Sequence, residues 1–160
     1  MSLATAEAIR DRIMSLIEAI TPTMAKPAFL RYRNEDGADF DAWAEKNPAA
    51  ALRRFQVREV GDDELPHTSS VLEERVRTRF ALRVAYPQTH RYGAANAMDR
   101  DDVMNQDWLK INAAVGIYGG ANFTGSHDCI PLGAIKSRES GGKIDFLVVA
   151  IDVEYLRSTT

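Results

Sequence analysis

At 160 residues with 45% hydrophobic side chains, the chain has the size of one domain, with a core able to bury about two-thirds of its unfolded surface. Its 20 basic and 23 acidic side chains nearly cancel, which leaves no global field to hold DNA or an anionic membrane and argues against a dedicated nucleic-acid binder. The lone cysteine, Cys129, excludes an internal disulfide, and the first residues lack the basic segment and apolar core of a secretory signal, so a cytosolic setting is expected.

The first expected element is an amphipathic helix of about five turns over residues 2–20, capped by Ser2 or Thr5. Ile9, Ile13, Leu16, Ile17 and Ile20 fall on one face of it, and Thr21-Pro22 stops it. A short strand follows in "PAFLRYRN". Residues 34–52 gather acids, Gly37 and Pro48 into an excursion of one or two helical turns, which Phe40 and Trp43 anchor to the core. Residues 53–60 alternate as a strand, with Phe55 and Val57 opposed to Arg54, Gln56 and Arg58, and "GDDELP" then reads as a loop.

A long strand from about Leu72 to Tyr86 ends at Pro87, and "QTHRYGAANA" after it is an exposed loop. The next helix is capped by Asp99, carries acids in its first turn and is terminated by Gly119-Gly120. Val103, Met104, Trp108, Ile111, Val115 and Tyr118 form its buried face. A hairpin closes the domain, "CIPLGAIKS" and "KIDFLVVAIDVEYLR" joined through the glycines of "RESGG". Its longest apolar run, Phe146 to Ile151, is far short of the ~20 residues of a membrane span. The expected fold is therefore α+β: one domain over residues 1–160, with a mixed or antiparallel sheet of about four to five strands and two main helices on one face.

Catalytic chemistry is sparse. His67, His90 and His127 fall in expected loops without metal-binding spacing. His127, Asp128 and Cys129 place a base, an acid and a thiol side by side, but neighbours on a strand point to opposite faces, so a small cytosolic enzyme built on them is the weaker reading. The pairs Asp62-Asp63 and Asp101-Asp102, with Asp39 and Asp41, match no calcium loop; a solvated turn and a helix dipole explain the pairs. No phosphate-cradling glycine loop or nucleophile elbow occurs, and the Asn122-Phe123-Thr124 glycosylation pattern reads as ordinary loop. The expectation is a non-enzyme without a cofactor or metal.

The chemistry is concentrated instead in the stretch from Arg75 to Pro87. Val76, Thr78, Phe80, Leu82, Val84 and Tyr86 share one face, while Arg75, Arg77, Arg79 and Arg83 share the other. The last strand divides the same way, with Asp152 and Glu154 at the polar end of its second face. If the two strands pair antiparallel, these carboxylates lie beside the arginines, though two carboxylates cannot match four guanidiniums. Intrachain pairing, a subunit contact and nucleic acid are the three readings of the stripe, and the surplus is left for a second partner. Nucleic acid is the weakest, because no aromatic residue is interleaved with the charge on that face. Arg75, Arg77, Arg79, Arg83, Asp152 and Glu154 are thus the candidate subunit-interface residues.

The N-terminal amphipathic helix, the strand "RFALRVAYP", the helix "DRDDVMNQDWLKINAAV" and the terminal strand "FLVVAIDVEYLR" together resemble the tail terminator, or tail completion, proteins of long-tailed bacteriophages. This resemblance implies a structural virion protein of the tail and neck, assembled in the host cytoplasm. It implies a homo-oligomeric hexameric ring that caps the tail tube, stops its polymerisation and docks to the head-tail connector. DNA passes through such a ring without specific recognition, and neither a membrane partner nor a catalytic set is implied. A head completion or neck connector protein is the alternative within the same class.

Overall fold

Alternation of apolar and polar residues builds one five-stranded sheet around which the helices pack, as seen in the computed structural model, which describes residues 5–22, 27–33, 39–65, 73–116 and 129–158. The elements run α1 (Ala6–Glu18), β1 (Leu30–Arg31), α2 (Phe40–Lys46), α3 (Pro48–Ala51), β2 (Arg54–Leu65), β3 (Glu73–Pro87), α4 (Asn96–Val115), β4 (Cys129–Gly141) and β5 (Ile144–Ser158). The strands are ordered β1-β2-β3-β5-β4. Among the described strands β1 and β2 pair in parallel and the other neighbours are antiparallel, which makes the sheet mixed and the fold α+β.

The period of two assigns each strand residue to one side. Phe55, Val57, Val76, Phe80, Leu82, Val84, Tyr86, Leu147, Val149, Ile151, Val153 and Tyr155 form the first face and are buried with Ile9, Ile13 and Ile17 of α1 and Val103, Met104, Ile111 and Val115 of α4. Both main helices therefore cover this face. Thr5 caps α1 by accepting a hydrogen bond from the Ala8 amide at 3.1 Å. The helix ends at Glu18, before the Thr21-Pro22 stop and short of five turns.

The excursion crosses to the opposite face. Phe40, Trp43, Ala44 and Ala51 bury themselves with Ala85, Ile144 and Phe146 in a second, smaller cluster, so the two anchoring aromatics hold α2 and α3 there. Phe40 meets Phe146 edge-on at 5.9 Å between ring centres, and Tyr32 stacks obliquely on Phe40 and Trp43. The β4–β5 turn is clamped from the same side. Gly142 takes φ +52°, and a side chain there would collide with the Glu45 carboxylate, which accepts from the Lys143 amide at 3.0 Å.

Further boundaries differ from expectation: β4 extends through Arg138–Gly141 of the expected connector, leaving Gly142-Lys143 as the turn, and three others differ for local reasons. β2 runs on through "GDDEL" to Leu65, because a bulge between Glu59 and Gly61 absorbs one residue and pairing with β3 resumes beyond it. Asp62-Asp63 are thus strand residues rather than a turn. α4 starts at Asn96 instead of being capped by Asp99. The Asp99 carboxylate reaches back to the Ala95 amide at 2.9 Å, and Asn96 accepts from the Tyr92 amide at 2.7 Å. The helix stops at Val115 with Gly116 as its C-cap, while the expected terminator Gly119-Gly120, together with Tyr118, His67, His127, Asp128 and Asn122-Phe123-Thr124, lies outside the described residues.

Candidate interaction surface on the second sheet face

The register between β3 and β5 fixes the second face row by row. Arg77 lies opposite Glu154, Arg79 opposite Asp152, Ala81 opposite Ala150, Arg83 opposite Val148 and Ala85 opposite Phe146. β4 continues these rows with Ile130 beside Glu154, Gly133 beside Asp152, Ile135 beside Ala150 and Glu139 beside Phe146. α2 and α3 cover the end around Phe146, and the half from Arg75 to Ala81 is left open by the described helices.

Arg75, Arg79 and Arg83 each meet a carboxylate, at graded exposure. Arg79 holds Asp152 with two nitrogens, Nε to Oδ1 at 2.8 Å and Nη2 to Oδ2 at 2.9 Å, with half of the Arg79 side chain exposed. Its hydrogen bond is the main cause that draws the Asp152 carboxyl below the usual aspartate range, against a smaller opposing effect of burial. Arg75 pairs diagonally with Glu154 through Nη1. Arg83, only 20% exposed, is the most enclosed of the stripe. It donates to both Asp41 oxygens at 3.2 and 2.9 Å and to Glu139 at 2.7 Å, and its guanidinium lies 4.4 Å from the centre of the Phe146 ring. Burial alone would lower the Arg83 pKa; the bonds and charges of Glu139 and Asp41 outweigh it and leave the pKa raised.

Asp152 and Glu154 are therefore where the alternation places them, and Asp41 and Glu139 add two carboxylates that alternation did not predict. The surplus of arginine is smaller than the count of two against four implies. Arg77 sits in the same row and, with Arg79, Asp152, Asp62, Gly61 and Val60, lines a hollow of about 330 Å³ beside the β2 bulge.

Sequence reasoning missed the most deeply buried charges. Arg53 and Asp107 are each 1% exposed and make two bonds, Nε to Oδ2 at 2.8 Å and Nη2 to Oδ1 at 3.1 Å. Tyr86 donates its hydroxyl to the same aspartate at 2.7 Å, and Arg53 also donates to the Pro27 carbonyl at 3.2 Å. Burial first, and then the Asp107 charge, push the Tyr86 hydroxyl well above the ordinary tyrosine pKa, so it stays a donor. Arg53 takes φ +58°, held there because its amide donates to Ala85 and its carbonyl accepts from Leu30. A signal for this site existed in the sequence. Asp107 is four residues from both Val103 and Ile111, on the apolar face of α4, where a carboxylate demands a buried cation.

A second buried aspartate anchors the other end of α4. Asp145 receives Arg138 Nη2 at 2.8 Å and Gln88 Nε2 at 2.9 Å, and Arg100 Nε lies 2.9 Å away as an ion pair without hydrogen-bond alignment. Burial opposes the charge, but the bonds from Arg138, Gln88 and Ser140 and the charge of Arg100 prevail and lower the Asp145 pKa. Both buried networks tie α4 to the sheet. Of the histidines, His90 lies against the Tyr92 ring at 4.8 Å; of the His127-Asp128-Cys129 group, Cys129 begins β4. Among the described residues, no group of three or more His, Cys, Asp or Glu side chains is placed to hold a metal ion, and no helix is long and apolar enough to cross a membrane. No family model matches the chain, and no curated protein resembles it at a significant level.

Proposed function

We propose that the chain is a structural virion protein of the tail terminator kind, a homo-oligomeric ring that caps the tail tube, ends its polymerisation and presents a surface to the head-tail connector. The observation that carries this reading is the open half of the second sheet face. There the arginine–carboxylate rows run beside apolar side chains left in solvent, Ile130 at 48% and Ile135 at 67% exposed. Charge pairs bordering an apolar strip are the composition of a protein interface rather than of a solvated face. Arginine suits such a surface because its planar fork keeps one carboxylate while offering remaining donors to another chain.

A ring built head to tail needs two different surfaces on each subunit, and a near-neutral chain with an arginine-bearing sheet face and an acidic stretch over residues 59–64 supplies both. Sedimentation velocity and negative-stain imaging of the purified protein, alone and with tube subunits, test the reading. Six-fold rings seated on blunt tube ends are expected. A strict monomer at high concentration that leaves tube growth unaltered overturns it. The Arg79→Ala, Arg83→Ala double variant then locates the contact: a folded monomer marks these residues as interface, whereas an unfolded chain marks them as intrachain supports.

A further inference from the structure

The sheet ends in two strands of opposite character. β4, thirteen residues long, has a strand neighbour only in β5 among the described residues. At the other end β1 covers only Arg54 and Phe55 of β2, so from Arg58 to Leu65 β2 has a strand neighbour only in β3, among the described residues. Rows of backbone donors and acceptors along such edges are templates for another strand. We propose that copies of this chain join edge to edge, the β4 edge of one adding antiparallel to the Arg58–Leu65 edge of β2 in the next. The contact specifies how the ring proposed above closes and rests on that reading.

Three observations favour a second copy as the occupant. The first is strand direction. β2 is antiparallel to β3, β3 to β5 and β5 to β4, so β2 and β4 run in opposite directions within one subunit. Rotation about an axis along the strands preserves each direction, and β4 therefore meets the neighbour's β2 antiparallel, the pairing with the better hydrogen bonds.

The second is charge. Residues 58–65 carry one arginine against four carboxylates, Glu59, Asp62, Asp63 and Glu64, whereas β4 carries Lys136 and Arg138 against the single acid Glu139. Like copies of either edge repel one another, while the unlike edges attract, which favours a head-to-tail contact over a two-fold one.

The third is shape. The β4 edge exposes Ile130, Leu132 and Ile135. On the opposite edge Val60 is 61% exposed, and a largely apolar hollow of about 400 Å³ opens beside β1, lined by Pro27, Phe29, Leu30, Leu52 and Arg54 among others. Apolar projections at one end of the sheet thus have an apolar recess at the other.

Two measurements test the contact. In a full-length Cys129→Ser background, Val60→Cys and Ile135→Cys are introduced singly and together and treated with a short bis-maleimide. The double variant is expected to give a covalent ladder ending at the closed ring, and the single variants to remain uncrosslinked. Crosslinked dimers from either single variant indicate a two-fold contact and overturn the proposal. Hydrogen exchange on the unmutated protein provides the second measurement. On assembly, every second amide of β2 and of β4 is expected to lose its fast exchange, because only alternate amides point outward from an edge strand. Rings that form while both edges exchange as fast as in the dilute monomer overturn edge pairing and leave the ring intact. A monomer under all conditions overturns the ring itself.

Discussion

Arg53 and Arg79 each grip an aspartate with two guanidinium nitrogens at nearly equal distances, yet one pair is sealed in the core and the other stands half in water. The difference is in what surrounds the bond. Arg79 and Asp152 keep much of their hydration, so forming the pair gains little and breaking it costs little. Arg53 and Asp107 have given theirs up, and each is tolerable only while the other is present. Geometry alone does not rank the two; burial does. Arg83, enclosed by Asp41, Glu139 and the Phe146 ring, lies between them.

The comparison breaks most visibly at the buried end. Asp107→Ala leaves a guanidinium and the Tyr86 hydroxyl without their acceptor and is expected to destabilise the fold by about 3–5 kcal/mol, read from urea unfolding. A loss below about 1 kcal/mol, the range of an exposed pair, would mean that water reaches the site. Replacing both partners, as Arg53→Met with Asp107→Leu, is expected to cost less than either single change, because no orphaned charge remains. One step outward, Arg83→Ala removes bonds to charged acceptors at partial exposure, and about 1.5–3 kcal/mol is expected in the same assay. A value outside the interval between the Asp107 and Arg79 results breaks the ranking by burial.

The same contrast explains what was legible in the sequence. β3 was readable because it alternates along its length and β5 because a long apolar run passes into alternation at its acidic end, and the faces thus assigned put Arg79 opposite Asp152 in the observed register. Phe40 and Trp43 were readable as anchors because large aromatics in a polar segment need cover, although nothing in the segment says which side of the sheet provides it. The reach of β2 was hidden, since Gly61 and two aspartates signal a turn unless a bulge is known to absorb one residue. Arg53 was hidden more deeply. It stands next to Arg54 with the same chemistry, and only a partner 54 positions away and a left-handed backbone distinguish it. Long-range charge pairing has no local signature, except at Asp107, whose place on an apolar helix face was the clue.

At the exposed end, Arg79→Ala is expected to lower monomer stability by only about 0.2–1 kcal/mol. Dilute protein, held monomeric, is the sample on which to measure it. Any larger effect that appears only at concentrations where rings form belongs to the subunit contact and is read as a concentration-dependent shift in unfolding midpoint.

The smallest effect is also the most specific to the pair. The Asp152 carboxyl is drawn below its ordinary pKa chiefly by Arg79, so the folded chain binds fewer protons than the unfolded one between the two values. Its contribution is therefore fully present above the unfolded value, about pH 4, and is lost as pH falls through the lower folded value. The stability difference between the unaltered chain and Arg79→Ala should accordingly hold constant down to about pH 4 and shrink below it. Asp145 titrates in the same acid window, but its partners Arg138, Gln88 and Arg100 are untouched by the substitution, so its effect cancels in the difference. Urea midpoints of both proteins across that window decide the matter. A difference that persists after Asp152 is protonated shows that Arg79 stabilises the strand by packing its stem on the sheet, and the pair is then not what distinguishes the open face from the core.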